Sequence, residues 1–180
     1  MIRLFAALTP PLEIAEALAP RQQGLAGAAW RPPEALHITL RFFGEIAETT
    51  ADDLDAELSG VGRRPVILEL SGVGAFGDGG DLHAVWAGVA ESPGLRQLAR
   101  RCEMAARRAG LEAETRSYRP HVTLAYLSGV EPMAVAAWIQ ANNLLRSPPF
   151  RLDAFGLYSS RLGADGSHYR LERLYRMGGG

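Results

Sequence analysis

The chain has 180 residues, 47% of them hydrophobic and 22% charged, with a formal net charge of −1. This is the composition of a folded globular domain of ordinary size, and it excludes a disordered chain. It also excludes a protein held on nucleic acid or membrane by bulk positive charge, while leaving room for a local basic cleft.

Taken in chain order, Ile2 to Leu8 reads as a buried first strand, and Pro10-Pro11 then starts a helix with apolar positions Leu12, Ala15, Leu18 and Ala19. The apolar N-terminal run is too short for a signal sequence, and no run is long enough to span a bilayer, so the expected compartment is cytoplasmic. Gly24 to Pro33 reads as a loop, and Leu36 to Phe43 as the second strand, ended by Gly44. Thr49-Thr50 is the expected cap of a helix carrying Leu54 and Leu58. Val66 to Val73 and Leu82 to Val89 are two more strands, separated by a glycine-rich turn from Gly74 to Gly80. Pro93 opens the longest helical stretch, with Leu95, Leu98, Cys102, Ala105, Ala106 and Ala109 on one stripe and Gly110 as its stop. A strand at His121 to Leu127, a helix at Met133 to Ile139, and strands at Phe150 to Ser159 and Tyr169 to Met177 complete the chain, the last two joined by a Gly163/Gly166 turn.

Helices interleaved with strands, some joined by turns too short for a crossover, indicate an α+β fold with largely antiparallel sheet. No segment between the halves reads as a flexible linker, so residues 1–177 are expected to form one compact bilobal domain, monomeric, with Gly178–Gly180 as a flexible tail. All 19 basic residues are arginine, which rules out a Schiff-base or P-loop lysine and makes any phosphate contact a planar guanidinium. The single cysteine, Cys102, excludes an internal disulfide and a multi-cysteine metal site. It sits in an Ala- and Arg-rich stretch, where a packing role outweighs a nucleophilic one.

The chemistry is carried by an internal repeat. His37-Ile38-Thr39-Leu40-Arg41-Phe42-Phe43-Gly44-Glu45-Ile46 lies over His121-Val122-Thr123-Leu124-Ala125-Tyr126-Leu127-Ser128-Gly129-Val130, with Arg31-Pro32 shortly before the first copy and Arg119-Pro120 directly before the second. That two histidines should each be followed by threonine two places on has a chance of roughly one in a hundred in a chain of this composition. On regular strands His37 and Thr39 share one face opposite Ile38, Leu40 and Phe42, while His121 and Thr123 share a face opposite Val122, Leu124 and Tyr126. Packed about a pseudo-twofold axis, the two pairs converge on a cleft.

Two facing imidazoles suit phosphodiester hydrolysis without a metal. One takes a proton from water, the other protonates the departing oxygen, and each threonine hydroxyl donates to a non-bridging oxygen. No HExxH or clustered His/Asp spacing supports a metal, and no cofactor is expected. Arg119, Arg41 and Phe43 are candidate substrate contacts: Arg119 and Arg41 as cations on the histidine faces, Phe43 as a base-stacking ring. Their ordinary alternatives are a solvated loop charge, a charge at the cleft rim and core packing. His83 and His168 lack a following threonine at the right offset and read as structural or surface histidines.

The paired motifs, their separation and the chain length resemble the two-histidine phosphoesterase superfamily. Within it the sequence is most similar to bacterial RNA 2',3'-cyclic phosphodiesterases, also described as 2'-5' RNA ligases. The similarity includes Arg3-Leu4-Phe5-Ala6-Ala7-Leu8, Leu36-His37-Ile38-Thr39-Leu40, Arg119-Pro120-His121-Val122-Thr123-Leu124 and Leu157-Tyr158-Ser159-Ser160. The resemblance implies duplicated β-α-β-α-β lobes around a central cleft. It further implies hydrolysis of a 3'-terminal 2',3'-cyclic phosphate on RNA to a 2'-phosphate, with His37 as proton donor, His121 as proton acceptor, and Thr39 and Thr123 binding phosphate. The expected partners are RNA ends or small nucleotides bearing a cyclic phosphate, with no membrane. The alternatives are a related enzyme acting on nucleotide cyclic phosphates or 2'-5' linkages, including reverse ligation, and a non-catalytic module that binds RNA ends.

Overall fold

The computed structural model describes residues 1–163 and 166–178. Of the expected glycine tail, Gly179 and Gly180 lie outside the described residues, as do Ala164 and Asp165 of the last turn. The elements follow in the order β1 (Ile2–Leu8), α1 (Leu12–Glu16), β2 (Ala28–Trp30), β3 (Ile38–Ile46), α2 (Glu48–Leu58), β4 (Val66–Leu68), β5 (Leu70–Phe76), β6 (Ala84–Val89), α3 (Pro93–Arg108), β7 (His121–Leu127), α4 (Pro132–Asn142), β8 (Phe150–Leu152), β9 (Ala154–Gly163) and β10 (Gly166–Arg176). The α+β class and the antiparallel pairing expected from the sequence both hold.

Seven strands lie in the order β10-β9-β1-β3-β7-β6-β5, while β4 and β8 form a separate two-stranded ladder. The first four of the seven make one lobe and the last three the other. The lobes meet where β3 touches β7, and that junction is the one residue pair Ile38↔Val122. Further along β7, β2 takes over the same edge, with Ala28 opposite Leu127 and Trp30 opposite Ala125. β2 falls inside the stretch expected to be loop. Three residues carry too little alternation to be read as a strand, and its pairing partner is about a hundred residues away in the chain.

The helices cover one face of the sheet. α3 presents Leu95, Leu98, Ala99, Cys102, Ala105 and Ala106 as its buried stripe and packs on β3, with α2 packed against it. Its start is fixed as the sequence predicts: Pro93 stands in the first turn and the Ser92 hydroxyl accepts from the Leu95 amide. Cys102 is fully buried in that stripe and burial pushes its thiol up to about 12, as befits a packing residue. Some element ends differ from expectation. α2 begins at Glu48 after an extended Ala47, so Thr49 and Thr50 sit inside its first turn rather than capping it. The expected Val66–Val73 and Phe150–Ser159 strands are each broken, because their first three residues pair with one another as β4 and β8 while the remainder joins the main sheet.

The feature that most affects the site is a bulge directly after the threonine in each copy of the repeat, the first copy carrying a second shift at Phe43. Along β1, Ala7 lies opposite Thr39 but Ala6 lies opposite Arg41, which leaves Leu40 as an extra residue in β3. Along β6, Trp86 lies opposite Thr123 but Val85 lies opposite Ala125, which leaves Leu124 extra in β7. An extra residue reverses the in–out alternation beyond it. Phe42 and Tyr126, assigned by simple alternation to the faces opposite their histidines, are therefore brought round onto the histidine side. They are 44% and 45% exposed there, while Leu40 and Leu124 remain in the core.

Candidate active site

An antiparallel register centred on Ile38↔Val122 sets His37 across from Thr123 and Thr39 across from His121. The pseudo-twofold axis thus passes between Ile38 and Val122, which are both fully buried on the helix side. His37, Thr39, His121 and Thr123 project from the other face. The two histidines are diagonal neighbours, a relation that puts Cα atoms about 7–8 Å apart in a regular ladder. Their mutual charge effect is one of the influences on the His37 pKa. The two imidazoles thus stand on one face of the sheet, on either side of the Ile38–Val122 junction.

Each imidazole is oriented by the same local device. His37 Nδ1 lies 3.0 Å from the Ala35 carbonyl oxygen, and His121 Nδ1 lies 2.7 Å from the Arg119 carbonyl oxygen. A carbonyl only accepts, so each Nδ1 carries hydrogen and donates it, and Nε2 is left as the nitrogen that gains or loses a proton. Aromatic rings set the remaining walls. The rings of Phe5 and Tyr169 each have their centroid 5.0 Å from that of His37, and Phe5 in turn stacks on Tyr158. Around His121 the Phe76 ring stands edge-on at 4.7 Å and the Trp86 ring lies at 6.3 Å. A Cβ on Gly74 would come within 2.4 Å of that indole, so glycine is what lets Trp86 lie flat on β5 beneath His121.

Burial in these aromatic surroundings disfavours the imidazolium. Desolvation, assisted by the charge of Arg31 and opposed by the bond to Ala35, lowers His37 from 6.5 to about 4. His121 is also held below its ordinary value by burial, again opposed by its backbone bond. Both rings are thus neutral in the free protein at neutral pH. The stability consequence has a definite sign: the unfolded chain takes up a proton on residue 37 below pH about 6.5, and the folded chain resists doing so until about 4. Stability therefore falls as pH drops through this window and is fully present above it. The full shift corresponds to about 3 kcal/mol; because the ring is partly exposed, about 2 kcal/mol is the expected loss. Urea unfolding of the wild type and His37→Gln between pH 7 and pH 4 checks this. The variant should lose less stability over that range, and equal losses would contradict the assignment to His37.

The other sequence-derived candidates divide. Arg41 is turned away from the histidines by the bulge at Leu40: its Nε donates to Glu103 on α3 at 2.5 Å, its side chain is 11% exposed, and another guanidinium nitrogen donates to the Glu112 carbonyl at 2.7 Å. Phe43 is 8% exposed and belongs to the hydrophobic core. Neither joins the cleft, and the expectation that they would is corrected by the extra residue in β3. Arg119 is exposed, and its carbonyl is what holds His121. His83 and His168 are exposed as well.

Sequence reasoning missed several residues that the fold brings to the site. Phe5, Phe76, Trp86 and Tyr169 come from four strands remote in sequence, and single aromatic residues in strands give no sign of which face they will occupy. Tyr118 donates its hydroxyl to the Thr39 carbonyl at 3.0 Å, tying the first motif to the segment that leads into the second. Arg31, quoted above only as part of the repeat's flank, enters the cleft because β2 lies along β7. Its guanidinium carbon lies 5.7 Å from the Tyr126 ring centroid and 5.3 Å from that of Tyr169.

Among the described residues, no group of three His, Cys, Asp or Glu side chains is arranged to hold a metal ion, and no helix is long and apolar enough to cross a membrane.

Comparison with known proteins bears on the same region. The profile of the 2'-5' RNA ligase superfamily matches residues 10–164. Over 134 residues the chain is 31% identical to an RNA 2',3'-cyclic phosphodiesterase from Archaeoglobus fulgidus, covering 73% of this chain and 76% of that one. Over 136 residues it is 35% identical to the protein of the same name from Escherichia coli, covering 68% and 70%. In fold it resembles the crystal structure of E. coli LigT complexed with 3'-AMP, with a TM-score of 0.79, 24% identity and 98% of both chains covered.

Proposed function

The chain belongs to the 2'-5' RNA ligase superfamily, and from that premise we propose that it hydrolyses the 2',3'-cyclic phosphate at the 3' end of RNA to a 2'-phosphate, with His37 and His121 as acid and base and without a metal ion. The observation that supports the reading is that both motif histidines flank the Ile38–Val122 junction with Nδ1 bonded to a backbone carbonyl, which leaves each Nε2 as the nitrogen available to exchange a proton. The relatives' shared name, RNA 2',3'-cyclic phosphodiesterase, supports the substrate class.

In the proposed reaction His121 Nε2 takes a proton from water as the water oxygen forms its bond to phosphorus. The bond from phosphorus to O3' breaks, and His37 Nε2–H gives its proton to the departing oxygen. Thr39 and Thr123 donate to the non-bridging oxygens as charge accumulates there. The reaction leaves His37 neutral and His121 protonated, and exchange with solvent resets both. Burial keeps both rings neutral in the free protein, so the anionic phosphodiester is what favours protonation of His37, and the roles of His37 as acid and His121 as base follow the family resemblance.

The direct test is a short RNA ending in a 2',3'-cyclic phosphate, incubated with chelator-treated protein, with the position of the product phosphate determined. The expected product is the 2'-phosphate, formed at the same rate with and without chelator. A 3'-phosphate product, or loss of turnover on chelation restored by a divalent cation, would overturn the reading.

A further inference from the structure

Resting on that reading, the cleft has a direction. Beyond His121 its wall is apolar, made by Phe76 and Trp86. Beyond His37, across the Tyr169 ring, stands Arg31. The backbone of Arg31 is pinned: its amide donates to the Leu124 carbonyl at 2.8 Å, and its own carbonyl accepts from Gln22 Nε2 at 2.7 Å. Its guanidinium is held between two tyrosine rings, and one terminal nitrogen donates to the Ser167 carbonyl at 3.1 Å. The Tyr169 hydroxyl is pushed up to about 12, chiefly by burial and then by the neighbouring Tyr126, so it stays neutral at any working pH.

Other arginines of this chain, such as Arg41, Arg96 and Arg173, are paired with carboxylates. Among the described residues no carboxylate lies within ion-pair distance of Arg31. With one terminal nitrogen bonded to the Ser167 carbonyl, the guanidinium's other N–H groups are the donors available to a phosphate. The Tyr126 ring of this clamp is itself exposed, and a cation beside an exposed ring is a surface that suits a single strand.

We propose that Arg31, clamped between Tyr126 and Tyr169, is a second anion subsite that binds the phosphodiester immediately upstream of the cyclic phosphate, so that the chain acts on the end of an oligonucleotide in preference to a cyclic mononucleotide. Arg31 and His37 lie against the same Tyr169 ring, with centroid distances of 5.3 Å and 5.0 Å. Arg31 touches no reacting atom; it sets specificity.

Two substrates separate this inference from the reading beneath it: a 2',3'-cyclic mononucleotide, which lacks an upstream phosphodiester, and the dinucleotide that carries one. The readout is the ratio of kcat/KM for dinucleotide over mononucleotide, and the salt dependence of each. In the wild type the dinucleotide is favoured, and its slope of log kcat/KM against log salt is steeper by about 0.7, the value for one phosphate contact on a single strand. Arg31→Gln should lower the ratio roughly tenfold and remove the extra slope, while Arg31→Lys, which keeps the charge, should restore part of both. If Arg31→Gln leaves ratio and slope as in the wild type, or lowers both substrates equally, the subsite is refuted while the phosphodiesterase reading stands. If the wild type turns over neither substrate, that reading fails first.

Discussion

Replacement of either His37 or His121 by alanine should lower kcat for a cyclic-phosphate end by roughly 10²–10⁴-fold, the range for loss of a positioned acid or base. The two positions make this a stringent expectation. Each ring has one nitrogen committed to a backbone carbonyl, so in the proposed mechanism removing the ring removes the Nε2 that carries the proton on that side. Neither ring is part of the packed core on the helix side; that role belongs to Ile38 and Val122, their immediate neighbours. Both variants should therefore remain cooperatively folded at neutral pH, which thermal or urea unfolding checks and which separates loss of chemistry from loss of fold. Turnover near the wild-type level in either variant would refute the two-histidine mechanism.

The histidines could be found from sequence because their signal is doubled: each motif supports the other, and the short apolar strands around them admit one reading of face as far as the threonines. Beyond Thr39 and Thr123 that reading loses its basis. Nothing in Leu40-Arg41-Phe42-Phe43 says that Leu40 is an extra residue, since Leu40 and Phe43 are apolar in either register. The bulge shows only against β1, whose residues lie more than thirty positions earlier. The consequence is specific: regular alternation picks out Arg41 as a cleft cation, whereas the folded chain gives Arg41 to Glu103 and presents Phe42 instead. Arg31 is the complementary case. It lies in a stretch of glycine, alanine and proline that reads as loop, and only the pairing of β2 with β7 makes it a cleft residue. Local pattern therefore specified most of the elements and the pair of motif histidines, while the rest of the cleft depends on which strands meet and where each ladder slips.

In the proposed mechanism the internal symmetry conceals which histidine is acid and which is base, and a leaving group of low pKa separates the two roles. Such a group departs as a stable anion and needs little protonation, whereas water must still give up its proton as it attacks. With a nitrophenyl nucleotide phosphodiester bound so that nitrophenolate occupies the place of O3', His37→Ala should recover a large part of the activity it lacks on the cyclic phosphate, while His121→Ala should stay impaired by roughly 10²-fold or more. This direction follows from the roles that the family resemblance assigns to His37 and His121. The measurement is kcat/KM for both variants on both substrates, expressed as the ratio of ester to cyclic phosphate. Rescue confined to His121→Ala would reverse the roles. Equal rescue of both would mean that the ester binds in two orientations across the pseudo-twofold axis, an outcome that the asymmetry between the Arg31 side and the Phe76–Trp86 side argues against.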